Sequence, residues 1–255
     1  MARILITGSA QGLGRAAALD LLAAGHQVVV HARNQDRAAD LSDLVAQGAD
    51  LVVGDLADLS QTRHLAEQVN ELGRMDAVIH NAGVYSDRSP NRAADGHPRI
   101  VTVNLLAPYL LTFVLERPAR IVYLTSDMHL SGNPDLDDLD WVRRRWNGAQ
   151  AYCDSKLLGT ALTLALARRW PEVMSNAVDP GWVPTRMGGP SAPDDLRKGH
   201  LTQVWLASSS DPAALTSGGV WHHHRTAAAA PAARNPEYQD KLVDRLAELT
   251  ETELP

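Results

Sequence analysis

The sequence predicts an α/β protein built on a parallel sheet covered by helices on both faces, and three observations carry that prediction. Short apolar runs rich in Val and Ile recur along the chain, each is followed by a longer segment with helical spacing, and the alternation is nearly strict from end to end. Such continuously apolar runs belong to strands buried on both faces, as in parallel sheets. The 255 residues, 45% apolar and 21% charged, match a folded globular protein and suffice for one α/β domain over the whole chain.

Seven strands are expected. They are Ile4-Leu5-Ile6, Val28-Val29-Val30, Leu51-Val52-Val53, Ala77-Val78-Ile79, the run 121–124 (IVYL), the run 173–178 and, less regularly, Gly219-Val220-Trp221. Helical spacing fills the intervals at 13–24, 37–46, 59–72, 101–115, 149–170, 194–208 and 236–249. The stretch 101–115 is the most apolar, yet Asn104 and Pro108 interrupt it and it is shorter than the roughly 20 residues a bilayer requires. It reads as a core helix. No repeat is visible. Two irregular stretches, 127–148 with its acidic DLDDLDW and the Gly/Pro-rich 182–195, follow the carboxyl ends of strands, where open α/β sheets place ligands. They are expected to wall a substrate site, while the Ala-rich 227–236 reads as a surface connection.

Composition narrows the function. Lys plus Arg (24) against Asp plus Glu (30) gives a net charge of −6, which argues against an electrostatic grip on nucleic acid or an anionic membrane. Cys153 stands alone, so no disulfide forms within the chain. Met1-Ala2-Arg3 runs directly into the first strand without the features of a signal peptide. A cytoplasmic protein acting on small molecules is expected. His222-His223-His224 invites a metal, but alternating strand side chains cannot converge on one ion, so none is expected. A single Phe leaves Ala, Leu and Val to fill most of the core.

Two motifs carry chemistry. After the first strand comes TGSAQGLG, residues 7–14, in which Gly8, Gly12 and Gly14 permit a tight turn and close approach to a pyrophosphate, with the following helix aiming its free N–H groups at the phosphates. Farther on, Tyr152 and Lys156 stand four apart on a helix and share one face. A neighbouring cation favours phenolate, so the tyrosine pKa is expected to fall toward neutrality, as suits a general acid/base.

These motifs, with Ser126 closing the fifth strand and Asn81-Ala82-Gly83 after the fourth, resemble the short-chain dehydrogenase/reductase family, in family order over nearly the whole chain. The resemblance implies a doubly wound, Rossmann-like fold with a seven-stranded parallel sheet, and an NAD(P)-dependent interconversion of an alcohol and a carbonyl. Position by position, it implies that Tyr152 is the acid/base, that Lys156 holds the nicotinamide ribose and lowers the tyrosine pKa, that Ser126 orients the substrate oxygen and that Asn104 supports a proton relay to the lysine. The cofactor is expected against Gly8, Ser9, Gln11, Gly12, Leu13, Gly14, Arg33, Asn34, Asp55, Leu56, Asn81, Ala82, Gly83, Tyr152 and Lys156, with Pro180, Gly181, Val183 and Thr185 at its nicotinamide end. Asp55 also suits a helix N-cap region.

The second strand ends His31-Ala32-Arg33-Asn34 with no carboxylate before Asp36. A carboxylate there would take a ribose 2′-hydroxyl, whereas Arg33 can clamp a 2′-phosphate. NADP(H) is therefore favoured, with NAD(H) the alternative; Gln11 stands where many NADP-preferring members carry a second basic residue. The gap of 26 residues from Ser126 to Tyr152 and the segment TSDMHLSG resemble the branch of retinol dehydrogenases and protochlorophyllide reductases. Bulky apolar substrates would follow, lined by Trp141, Trp146, Met128 and Leu130 unless these merely anchor the loop. Family members are mostly dimers or tetramers, packed through helices matching 101–115 and 149–170. A catalytically silent NADP(H)-binding sensor or scaffold is the main alternative, and the presence of Tyr152, Lys156, Ser126 and Asn104 speaks against it.

Overall fold

The structure, a computed structural model, describes residues 1–85 and 87–252. Its centre is one sheet in the order β3-β2-β1-β4-β5-β6-β7-β8, with β1 Arg3–Ile6, β2 Gln27–Ala32, β3 Asp50–Val53, β4 Ala77–His80, β5 Arg120–Leu124, β6 Met174–Asp179, β7 Val220–His222 and β8 Arg225–Thr226. All pairings are parallel except β7 with β8. The seven expected strands are present within a residue or two of their expected ends. The eighth is a correction: His223 and His224, at φ 46° and 60°, form a two-residue turn from which the chain folds back as β8. Positive φ at both central residues is what a type I′ hairpin requires.

Alternation along each strand splits the core into two layers. Ile4, Ile6, Val28, Val30 and Ile79 face α1 (Gly12–Ala23) and α9 (Leu201–Ser208). Leu5, Val29 and Val78 face α4 (Leu59–Glu71) and α6 (Ala107–Val114), while Ile121 and Tyr123 face α7 (Gly148–Arg169) and α10 (Pro236–Thr250). Sixty-odd apolar side chains are buried this way, many of them Ala, Leu and Val, with Phe113 only partly buried at the edge. Among the described residues no helix is long and apolar enough to cross a membrane.

Three helices differ from the sequence pattern. Residues 35–46 form two short helices, α2 (Gln35–Ala38) and α3 (Ser42–Ala46), around a 3-10 turn. The stretch 194–208 breaks at His200 into α8 (Leu196–Gly199) and α9. The stretch 101–115 runs as α5 (Arg99–Val101), a π-helical turn Thr102–Leu106 and α6. Pro108 has no N–H to offer the Asn104 carbonyl, so the ladder widens there, and Asn104 sits in the widened turn.

The strand order reverses between β1 and β4. Crossovers diverge at that point and leave a crevice beyond the carboxyl ends of the strands, the usual ligand site of an open α/β sheet.

Candidate active site

A cleft of about 520 Å³ occupies that crevice. Its wall at the β1 exit is the glycine-rich turn. Gly8 adopts φ +69° and a Cβ there would lie 2.9 Å from the Ala82 Cα, so both its conformation and its space demand glycine. The Asn81 amide donates to the Thr7 carbonyl (3.0 Å) and the Ala82 N–H donates to the Thr7 hydroxyl (3.1 Å), tying the β4 exit to the turn. The first turn of α1 carries no side-chain cap from Gln11. Free N–H groups at the start of a 12-residue helix, opening on a cleft lined by Gly8, Gln11, Gly12 and Leu13, fit a pyrophosphate.

Tyr152 and Lys156 line the same cleft, both over nine-tenths buried. The Lys156 ammonium lies 5.4 Å from the phenol ring centre and donates to the Leu124 carbonyl at 2.7 Å. Burial pushes the lysine pKa down to about 8, with the Asp179 carboxylate opposing. The tyrosine departs from expectation. Its pKa is raised, by burial first and then by the charge of Asp179, with the Ser126 hydroxyl opposing. Desolvation of the phenolate dominates, so the phenol keeps its proton at neutral pH. The Ser126 hydroxyl donates to the Asp127 carboxylate (3.1 Å) and accepts from the Met128 N–H (3.3 Å), capping a 3-10 turn over Asp127–Ser131.

Asn104 acts as a bracket. Its carbonyl oxygen accepts from the Val84 N–H (2.8 Å) and its amide donates to the Val84 carbonyl (3.0 Å) and the Ser155 hydroxyl (3.1 Å). Both amide hydrogens are thus spent on fixing the β4 exit to the helix that carries Tyr152.

A family model described as short chain dehydrogenase matches residues 2–134. A short-chain dehydrogenase of Gibberella zeae is 38% identical over 261 residues, covering 100% of this chain and 99% of that protein. The chain belongs to the short-chain dehydrogenase/reductase family. Retinol dehydrogenase 13 of Homo sapiens is 34% identical over 200 residues, covering 72% of this chain and 60% of that protein, in line with the branch expected from the long Ser126 to Tyr152 segment. A solved structure from Mycobacterium paratuberculosis superposes with a TM-score of 0.87 at 25% identity, covering 100% of this chain and 95% of that one.

Within this short-chain dehydrogenase/reductase fold, the remaining expected cofactor positions divide in two. Arg33, Asp55, Leu56, Asn81, Ala82, Gly83, Pro180 and Thr185 line the cleft. Ser9, Gly14, Asn34, Gly181 and Val183 lie outside its lining. The Ser9 hydroxyl donates to the Ile6 carbonyl (2.6 Å) and accepts from the His31 N–H (2.8 Å). A Cβ on Gly14 would collide with the Asn81 amide, and Asn34 caps α2 through the Arg37 N–H. The Gly181 N–H donates to Asp179 (3.0 Å), and Val183 is buried. Asp55 is not the cap of α4: Asp58 is, and Asp55 instead accepts from the Ala57 N–H (2.9 Å).

The long loop also differs from its expected role as a pocket wall. Trp141 is buried, packs on Trp146 at 5.3 Å between ring centres and carries the Arg144 guanidinium 4.0 Å above its ring. Trp146 donates to the Asp87 carbonyl (2.9 Å). Neither these residues nor Met128 and Leu130 line the cleft; the tryptophans anchor the loop. Its clasp is Arg144, which bonds the buried Asp138 and Asp154 at 3.0 Å each.

Sequence reasoning missed four groups. Arg37 lines the cleft and donates to the Gln11 side chain at 2.8 Å; its place in the first turn of the short helix that follows the β2 exit was the available signal. His31 lines the cleft as well. Tyr85 stands edge-on to Tyr152, 4.7 Å between ring centres. Asp179, read only as the start of a Pro-Gly turn, sets the field around the tyrosine and lysine.

Proposed function

We propose that this chain interconverts an alcohol and a carbonyl with NADP(H), with Tyr152 as the acid/base. The observation that carries the reading is the buried Tyr152 phenol beside Lys156 in the cleft, with Ser126 closing β5 at the carboxyl end of the sheet. When bound, the nicotinamide supplies the hydride. In reduction the Ser126 hydroxyl holds the carbonyl oxygen and Tyr152 gives that oxygen its proton. The ammonium of Lys156 then faces the phenolate left behind, and the phenolate recovers a proton from solvent before the next turnover.

Two guanidiniums support the choice of NADP(H). Arg33 and Arg37 line the end of the cleft beside Gln11, and no carboxylate follows β2 before Asp36. Arg37 supplies from a helix the second positive charge that Gln11 lacks. The half-exposed Tyr85 against Tyr152 and the exposed Met187 in the cleft lining give the mouth an apolar rim, which supports a bulky apolar substrate.

The test is titration of the protein with NADPH and NADH by fluorescence, followed by turnover with a panel of apolar aldehydes and ketones. Tyr152→Phe is expected to bind NADPH within about twofold of the wild type while turnover falls by about 10³ or more, the loss of a proton donor and of the group it stabilises. Full turnover in that variant, or no affinity of the wild type for either dinucleotide, overturns the reading.

A further inference from the structure

We propose that His31 is a positioning residue for the cofactor, a neutral imidazole that sets the distance between the glycine-rich turn and the exit of β3, and that its protonation releases the turn. The inference rests on the functional reading above and concerns how the cleft is held in shape.

The geometry fixes the tautomer. His31 is 2% exposed at the end of β2. The Gly8 N–H donates to its Nδ1 at 2.9 Å, so Nδ1 carries no proton. The proton is then on Nε2, which donates to the Gly54 carbonyl at 2.8 Å. The main chain doubles the link: the His31 N–H donates to the Ser9 hydroxyl (2.8 Å), and the His31 carbonyl accepts from the Ser9 N–H (3.2 Å). One residue thereby joins the turn that faces the pyrophosphate to the segment Gly54-Asp55-Leu56, whose last two members line the other side of the cleft. The constraint is directional as well as spatial, because Gly8 occupies a left-handed conformation and its N–H has one acceptor.

A second proton on the ring would go to Nδ1 and turn the acceptor of the Gly8 N–H into a donor, leaving two buried donors face to face. Burial holds the ring's pKa below its ordinary 6.5, with the Gly54 carbonyl and the Asp55 charge opposing. The charged groups around it are Asp55 beyond β3, Arg33 on the β2 exit and Arg37 on α2; the glycine-rich turn contributes none. Protonation thus belongs to the acid side of neutrality, and the wild-type protein loses cofactor affinity as pH falls.

The experiment is the dissociation constant of NADH and NADPH, measured by fluorescence from about pH 7.5 down to the lowest pH at which each protein stays folded, on wild type, His31→Asn and His31→Leu. NADH is included because the 2′-phosphate of NADPH titrates in the same range. An asparagine Oδ1 takes the place of Nδ1 and can accept from the Gly8 N–H, the contact the proposal turns on, and it does not titrate. His31→Leu is expected to weaken both dinucleotides by about tenfold at pH 7.5, the effect of stranding a buried N–H. His31→Asn is expected to recover most of that loss and to show a flatter pH profile than the wild type with both cofactors. A His31→Leu protein that binds as the wild type does, or a His31→Asn profile that coincides with the wild-type profile, overturns the proposal. The second comparison decides the matter if His31→Leu does not fold. Failure of the wild type to bind either dinucleotide overturns the functional reading and this proposal with it, whereas wild-type binding with either of the two outcomes just named overturns the role of His31 alone.

Discussion

At the scale of single residues, the field inside the cleft separates the two ionisable groups in opposite directions. Tyr152 is held neutral by burial and by Asp179, and Lys156 is pushed down to about 8. The lysine's shift carries a sign for stability. An unfolded lysine titrates near 10.5, so between pH 8 and 10.5 the unfolded chain binds the proton more readily than the folded one, and stability from this group rises with pH through that window. Below it the fold bears the full cost of a buried ammonium, at most about 3 kcal/mol from the size of the shift. Lys156→Met is therefore expected to abolish turnover yet raise the thermal midpoint at pH 7 by a few degrees, the trade-off common at active sites. A variant less stable than the wild type in a calorimetric scan contradicts this. In the wild type the same group gives turnover a limb: kcat for reduction is expected to fall as pH rises through about 8, where the charge facing the phenolate is lost.

At the scale of elements, the 3-10 turn Asp127–Ser131 acts as a wedge between the end of β5 and α7. The His129 ring bonds the Ser126 carbonyl at 2.6 Å, and Gly132 closes the turn where a Cβ would lie 2.5 Å from the Leu157 Cβ and 2.7 Å from the Cys153 carbonyl. Both neighbours belong to the helix that carries Tyr152 and Lys156, so neither can yield without moving the side chains proposed to react. Gly132→Ala is expected to destabilise the fold by about 2 kcal/mol through overpacking and to lower kcat more than it raises the cofactor's dissociation constant; urea unfolding and fluorescence titration read the two effects. This wedge was not legible in the sequence, because Gly132 offers no pattern and its necessity comes from a helix more than 20 positions along. The strands and long helices were legible, since continuous Val/Ile runs and 3.6-residue spacing are local. Two missed features are local yet lack the usual signal: the π turn at Asn104 needed Pro108 to be read as a missing donor, and the hairpin at His223-His224 ran against the usual Asn-Gly signal for such turns. The limit met at the wedge applies to the site. Gly8, Tyr152 and Lys156 announce themselves by spacing, whereas the raised tyrosine pKa depends on how deeply the fold buries the phenol and on Asp179 arriving from another strand.

At the scale of the whole molecule, a chain of net charge −6 must attract a dinucleotide that is itself polyanionic. The long-range field opposes the encounter, so on the proposed reading the attraction is local: the free N–H groups opening α1, Lys156, and Arg33 with Arg37 at the far end of the cleft. NADH and NADPH share the first two of these, and they experience nearly the same repulsion from the distant acidic surface. They differ in one phosphate, and the clamp proposed for it is the pair Arg33 and Arg37 at a partly exposed rim, where Arg37 is also shared with Asp40 at 2.8 Å. Exposed charge pairs are screened by salt, with a Debye length of about 10 Å at 0.1 M and about 3 Å at 1 M. The ratio of the NADH to the NADPH dissociation constant is therefore expected to shrink several-fold between low and high ionic strength, while the common contacts deep in the cleft change both affinities together. Arg33→Ala combined with Arg37→Ala is expected to bring the ratio close to one and to remove its salt dependence. A ratio that stays constant with salt in the wild type would place the discrimination in the shape of the cleft and not in its two arginines.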